Sequence, residues 1–352
     1  MEKKQFTPRR KLLLTAALLA LIVVILGAFV AYPYIQYYLL PNTAFSDSKR
    51  VVDLPRGTTF GELPSLFVQG GLLDNPEILA RQIAKRGMAD RLVSGRYTIA
   101  RGMTTRAIVN MLVAGRQTAV RLVVPSVRTA PELAGRLARQ IALDSATILV
   151  ALRDPGVASR YDLSLEALPA MVIPNTYEVY WDITAQGLLD RLHREWEAFW
   201  GSRRDARAEA IGLTRVEVST LASIIQEEVM HSDELPRVAG VYMNRLRIGM
   251  PLQACPTAKF AAGNMALTRI LYEHTQIASP YNTYLHRGLP PGPIRYPSIR
   301  AIDAVLGYER HDYLFFCARE DFSGYHHFSR TGLQHAEYAR RYQRELNRRG
   351  IH

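Results

Sequence analysis

Two adjacent carboxylates, Glu227 and Glu228, close the segment 212–230, and the residues before them give the pair different surroundings. Thr214 and Glu217 fit the pattern in which a Thr and a Glu three residues on cap a helix start reciprocally. Val218, Leu221, Ala222, Ile225 and Val229 then recur at helical spacing and define one apolar face. At about 100° per residue, Glu227 points roughly opposite that face, while Glu228 lies only about 60° from its centre. Glu227 is therefore expected in water and Glu228 is drawn towards the interior. A partly desolvated carboxyl keeps its proton closer to neutrality, as a general acid must. The same pattern also fits a structural Glu satisfied by an Arg or a backbone N–H, and helix geometry leaves both readings open.

The elements around this pair follow from the spacing. The helix predicted from Thr214 ends near His231-Ser232, and Ser232 or Asp233 is expected to cap a second helix with Pro236 in its first turn. That second helix runs through Val238–Leu246 and stops at Gly249. Glu228 thus falls at the C-terminal end of one helix, just before a corner, where the negative end of the macrodipole further disfavours an ionised carboxylate. Glu228-x-x-His231 has the spacing of metal ligands, but no second Glu-x-x-His and no His-Glu-x-x-His occurs. No metal and no cofactor is expected.

Upstream, residues 185–210 read as a charged helix, with Trp196 and Trp200 packing inward. Residues 52–55, Val-Asp-Leu-Pro, recur 70 positions later as Leu-Val-Val-Pro at 122–125, and Thr59, Glu62, Leu63 and Asp74 recur as Thr129, Glu132, Leu133 and Asp144. Each copy reads as a short strand, a Pro-containing turn and a helix opened by its Thr. With a strand at 94–99 and a helix begun by Thr104, a small strand–helix–helix–strand unit is expected within 51–120, suited to binding or to spacing rather than to catalysis.

Leu12 to Tyr32 is 21 residues without a charge, long enough to cross a bilayer core of about 30 Å. Lys3, Lys4, Arg9, Arg10 and Lys11 precede it and Tyr32, Tyr34, Tyr37 and Tyr38 follow it, which predicts an uncleaved anchor with a cytoplasmic N-terminus. A cleaved signal peptide has a shorter apolar core and a small-x-small site, where this chain has bulky tyrosines and Pro33. The formal net charge of +12 suits anionic surroundings such as lipid headgroups or cell-wall polymer. Export from the cytoplasm argues against nucleic acid as the partner. Cys255 and Cys317 could pair in an oxidising compartment, and the spacing does not decide whether they do.

The motifs together carry a resemblance. Leu221–Glu228, Val238–Leu246, Met250–Thr257 and Tyr281-Asn282-Thr283-Tyr284, with Gly288–Ile294, Pro297, His326–Ser329 and His335, resemble the endolytic murein transglycosylase family, also called YceG-like. Val172–Tyr177 is similar to the family's opening motif of the catalytic domain. The resemblance covers nearly the whole chain in order. It departs from the family at Gln226, often a Glu, and at Cys255, usually an Asp, which leaves any polar role of that Asp in doubt.

The resemblance implies an α+β protein with a single transmembrane helix. Its expected parts are a cytoplasmic tail (1–11), a transmembrane helix (12–32), a linker (33–50), a LysM-like domain (51–120), a connector with the partial repeat (121–170) and a YceG-like catalytic domain (171–348). It implies cleavage of the β-1,4 bond between N-acetylmuramic acid and N-acetylglucosamine in peptidoglycan glycan strands, leaving 1,6-anhydro ends, on the outer side of the cytoplasmic membrane. Peptidoglycan synthases or division proteins are the expected neighbours, and glycan length control the expected role. Glu228 is the expected acid and base. Tyr281, Asn282 and Tyr284 have polar tips and rings suited to sugars, or else belong to a packed loop. Asn244 and Arg245 either orient Glu228 or hold the corner. Gln253, Thr257, His326 and Ser329 are expected along the groove, with a stiff wall at Pro290-Pro291-Gly292-Pro293. A non-catalytic wall-binding scaffold, and a hydrolase using Asp233 or Glu234 to activate water, are the alternative readings.

Overall fold

The computed structural model describes residues 8–267 and 269–350. Lys3 and Lys4, two of the flanking cations, lie outside the described residues. Helix α1 (Pro8–Tyr38) contains a stretch, Leu12–Tyr38, that is long and apolar enough to cross a membrane. It continues through Pro33, six residues past the expected end at Tyr32, so the segment expected as a linker is partly helix. The remainder is pinned as well. Asn42 is buried, and its amide donates to the Asn75 carbonyl and the Thr105 hydroxyl, both at 2.9 Å, and accepts from the Asn75 N–H at 2.7 Å. Phe45 is buried nearby.

The chain divides into two compact units, residues 1–120 with 180–182, and residues 121–179 with 183–352. In the first, β1 (Lys49–Leu54) is followed by α2 (Leu63–Gln69), α3 (Pro76–Lys85), β2 (Gly95–Ala100) and α4 (Thr105–Val113). The two strands pair antiparallel, with Lys49 opposite Ala100 and Leu54 opposite Gly95. The alternation along β2 puts Tyr97 and Ile99 onto Phe60, Leu63, Phe67, Leu79 and Ile108, which form the unit's core. Thr104 caps α4 as its sequence position predicts, its hydroxyl accepting the Ala107 N–H at 3.2 Å.

The second unit opens with β3 (Val120–Val123), α5 (Ala130–Ala138), α6 (Ser145–Leu152) and α7 (Pro155–Ser159). Thr129 caps α5, as the repeat suggested, and Asp144 caps α6. The closing strand of this copy comes from downstream, since β3 pairs with β4 (Thr176–Val179). Residues 121–170 therefore do not form a separate connector. Leu133, Leu137, Leu168 and Met171 share one apolar core with Trp200, Leu221, Ile225, Tyr242 and Ile302.

Helix α8 (Ala185–Ala210) carries the two buried tryptophans and is broken at Gly201, whose φ of 47° and ψ of 176° are not helical. Helices α9 (Arg215–Glu228), α10 (Leu235–Arg247), α11 (Cys255–Ala261), α12 (Tyr272–Thr275) and α13 (Ile299–Leu306) follow. Last come β5 (Phe315–Ala318) and β6 (His326–Ser329), an antiparallel pair, and α14 (Gly332–Arg348). Among the described residues, three two-stranded sheets and many helices make this a helix-rich α+β fold. Helix α10 passes unusually close to the chain before β5: a Cβ on Gly240 would stand 2.3 Å from the Glu309 carbonyl oxygen, so the residue has to be glycine.

Candidate active site

Helix α9 starts where the sequence places it. The Thr214 hydroxyl accepts the Glu217 N–H at 3.2 Å, and the Glu217 carboxylate accepts from the Thr214 N–H at 2.8 Å. Val218 to Ile225 are all buried, including Ser219, Thr220 and Ser223, so α9 is wrapped by protein on every side. Each fully buried Leu or Ile here is worth roughly 1.5–3 kcal/mol. This enclosure overturns the expectation for Glu227. Its carboxylate is not in water but only 8% exposed, clamped by Arg128 at 2.9 Å and Arg295 at 2.5 Å. A helical wheel gives an angle, and the segment around Arg128 covers the face that the angle assigns to solvent.

Glu228 is the last residue of α9; Val229 already has extended backbone angles. Its carboxyl meets α10 through Tyr242, whose hydroxyl donates to Oε1 at 2.9 Å. Around them lies a cavity of about 330 Å³ lined by Glu228, Tyr242, Arg245, Gln253, Cys255 and Tyr284, closed by Phe315, Phe316 and His335. Glu228 keeps partial access through the cavity mouth, yet protein crowds the carboxyl closely. Desolvation by burial pushes its pKa up from 4.5 to about 7, against the opposing pull of the Tyr242 hydrogen bond and the charges of Lys259 and Arg245. Among the described residues lining the cavity, Glu228 is the one carboxylate.

The raised value has a consequence for stability. The folded chain holds this proton more tightly than the unfolded one, so the stabilisation is complete below about pH 4.5 and is lost as pH rises through about 7. The shift corresponds to a cost on the order of 3 kcal/mol once the carboxylate is ionised. Glu228→Gln should therefore be more stable than the parent at pH 9 and equal to it at pH 4. Urea unfolding followed by tryptophan fluorescence reads this out, because Trp196 and Trp200 lie in the same core as α9. Equal midpoints at pH 9 would contradict a buried, proton-holding Glu228.

The other expected residues divide sharply. Arg245, Gln253 and Tyr284 join Glu228 at the cavity. Arg245 is fixed by donating to the Leu314 carbonyl at 2.7 Å and the Leu252 carbonyl at 2.6 Å. Gln253 has a φ of 46°, a left-handed conformation rare outside glycine and concentrated at functional sites. Its N–H donates to the Thr283 carbonyl at 3.1 Å, which holds the strained turn in place. Thr257 is fully buried, bonded to Thr283 and to the Ala254 carbonyl, both at 2.7 Å. Asn282 is equally buried and braces its loop through the carbonyls of Thr275 and Ile277. Asn244 holds the carbonyls of His311 and Tyr313. Tyr281 packs on Phe260, and Ser329 is buried with its hydroxyl unpartnered. These five lie outside the cavity lining.

His326 is likewise outside the lining. Its Nδ1 lies 2.8 Å from Glu234, and its N–H donates to the same carboxylate at 3.0 Å. That commitment explains the start of α10: its cap position is Glu234, without a capping side-chain bond, rather than Ser232 or Asp233. His231 stacks on Tyr325 with ring centres 4.0 Å apart. Cys255 and Cys317 are both free, and the Cys255 thiol lies 3.4 Å from the Tyr284 hydroxyl, with burial pushing the thiol pKa up.

Tyr242 is the contributor that sequence reasoning missed. It lies on the inward face of α10 beside Val238, and a buried tyrosine must find a partner for its hydroxyl. Tyr242→Phe removes a bond that favours the ionised carboxylate, so the alkaline limb of any Glu228-dependent activity should move to higher pH. The loss of orientation should cost about tenfold in kcat, less than the 10²–10⁴ that a positioned acid–base group itself contributes. An unmoved pH profile would show that the hydroxyl does not act on Glu228.

Residues 52–341 match the model of the YceG-like family. The chain belongs to the YceG-like family. An endolytic murein transglycosylase of Bacillus subtilis is 39% identical over 123 residues, 35% of this chain and 33% of that protein. One from Streptococcus pneumoniae is 26% identical over 324 residues, 83% of this chain and 58% of that protein. The chain thus spans from a third to about three-fifths of the length of these YceG-like relatives. A crystal structure of a YceG-like protein from Listeria monocytogenes is similar at a TM-score of 0.55 and 26% identity, covering 83% of this chain and 99% of that one.

Proposed function

We propose that the protein is a lytic transglycosylase acting on peptidoglycan glycan strands, with Glu228 as its general acid and then its base. The observation that carries this reading is the solitary carboxyl in the cavity, shifted to about 7 and held by Tyr242. Half of such a group is protonated at neutral pH, so it can donate to the glycosidic oxygen as the bond to the muramoyl C1 breaks. The resulting carboxylate can then take the proton of the muramoyl C6 hydroxyl as that oxygen closes on C1, giving the 1,6-anhydro ring. A hydroxyl already attached to the sugar has an effective molarity of up to about 10⁵–10⁸ M, so no tuned water is needed. The relatives named endolytic murein transglycosylases support the same chemistry.

A hydrolase of the usual kind uses two carboxyl groups about 5–9.5 Å apart across the bond. Of the two candidates for the second, Glu234 is buried against His326 and Asp233 lines a different cavity, so neither supports hydrolysis. The proposed role includes a single-pass anchor in α1 with the N-terminus cytoplasmic, a LysM-like first unit that holds glycan, and endolytic trimming of nascent strands near the membrane beside synthases or division proteins.

Mass spectrometry of digested glycan strands tests the proposal. The parent chain should release 1,6-anhydromuramoyl ends and Glu228→Gln none. Reducing muramoyl ends would establish a hydrolase instead, and intact strands would favour a wall-binding scaffold.

A further inference from the structure

The Glu228 cavity is not the largest in its unit. A second, of about 570 Å³, lies where the broken end of α8 meets α13 and the corner between α9 and α10. Arg203, Arg204, Arg207 and Arg300 line it, together with Ser232, Asp233 and Asp303. Arg204 is neutralised by Asp303, with bonds of 3.0 and 3.2 Å. Arg203, Arg207 and Arg300 have no carboxylate partner among the described residues. Arg203 and Arg207 are also four apart on one helical segment, where like charges repel. Gly307 makes room for this arrangement: a Cβ there would come 2.7 Å from Nη2 of Arg207. Arg207 is half-buried and Arg203 and Arg300 are exposed, so four guanidinium groups face two carboxylates, Asp233 and Asp303, around one hollow, and a guanidinium fork matches the two oxygens of a carboxylate.

We propose that this arginine cavity binds the carboxylate groups of the peptide stem carried by the glycan substrate, and so selects strands that still bear stems. The inference rests on the glycan reading of the Glu228 cavity and adds a second point of contact. The corner between α9 and α10 joins the two cavities along the chain. Glu228 and Ser232 are four residues apart, so their Cα atoms are separated by no more than about 15 Å, and a four-residue stem extends almost as far. Free phosphate, or a phosphate-bearing polymer, offers related oxyanion chemistry, but only the stem is tethered to the strand held at Glu228.

The test uses the full chain in detergent and calorimetric titration with a free stem tetrapeptide whose carboxylates are intact. The peptide should bind the parent. Combined Arg203→Gln, Arg207→Gln and Arg300→Gln should raise Kd by at least about tenfold, as should amidating the peptide's carboxylates. On strands, the triple variant should raise KM for stem-bearing glycan and leave KM for amidase-stripped glycan unchanged, with an unfolding midpoint no lower than the parent's. Equal binding by parent and variant, or tighter binding of inorganic phosphate than of the peptide, would overturn the proposal. Calorimetry needs no turnover, so its result holds even where Glu228→Gln proves fully active; failure of the peptide to bind overturns the stem site and leaves cleavage by Glu228 standing.

Discussion

Glu228→Gln is expected to lower turnover of glycan strands by at least about 10³-fold while leaving strand affinity within a factor of about three, since positioned acid–base catalysis contributes 10²–10⁴ and here one group does both steps. The amide fills the same volume and can still accept from Tyr242, so the helix corner should survive. What is lost is the proton. In the parent, kcat/KM should fall tenfold per pH unit above about 7, because the acid form of the free enzyme declines there. Below that value the rate should level off rather than drop, since desolvation keeps the carboxyl protonated. A parent profile that is flat between pH 6 and 9, or a Glu228→Gln variant with most of its activity, would remove this residue from the chemistry.

Gly292→Ala is expected to destabilise the second unit by about 3 kcal/mol or more, at or beyond the upper end of ordinary overpacking. A Cβ at this position would stand 1.8 Å from the Glu166 carbonyl oxygen, 2.5 Å from its carbon and 3.1 Å from the Ala167 nitrogen. These are backbone atoms, and no rotamer change can clear them. Their segment is itself held, with the Ala167 N–H bonded to the Ser164 carbonyl at 3.1 Å. Either the Pro-rich wall or the turn at 164–167 must move, and Ile294, just beyond the wall, bonds to Ser223 within α9. The urea midpoint of tryptophan fluorescence should therefore drop sharply, and an unchanged midpoint would mean that the approach at Gly292 is looser than these distances. In the sequence this glycine reads only as part of a stiff Pro-rich wall, with no sign of the chain it approaches.

The contrast between α9 and the groove residues shows what a sequence can carry. A capping box and a 3.6-residue period are local, so α9 and the inward position of Glu228 are legible in the residues themselves. The fate of Glu227 is not, because Arg128 comes from 99 residues away and Arg295 from 68. Thr257, Asn282 and Asn244, polar residues left between a ligand and a structural reading by the sequence, hold backbone carbonyls. A polar side chain in a motif must bond to something, and residue type does not say whether that partner is ligand or chain. Tyr242 shows the converse. Its place on a helix is readable, but its contact with Glu228 needs the crossing of two helices. The second repeat is visible as strand and helix, yet its closing strand at 176–179 lies beyond the copied segment.

Helix α1 and the first unit have one further consequence. Tyr37, one residue from the helix end, is buried and accepts a bond from Arg86 at 2.7 Å, while Arg106 lies 4.9 Å from the centre of the Tyr38 ring. With Asn42 and Phe45 also docked, the chain leaves the apolar helix as a strut and not as a leash. In a bilayer, such a joint would fix the altitude and pitch of residues 49–113 above the lipid. Lateral movement would then come from drift of the whole molecule in the plane of the membrane, and an inserted flexible spacer after Tyr38 would free the height of the first unit above it.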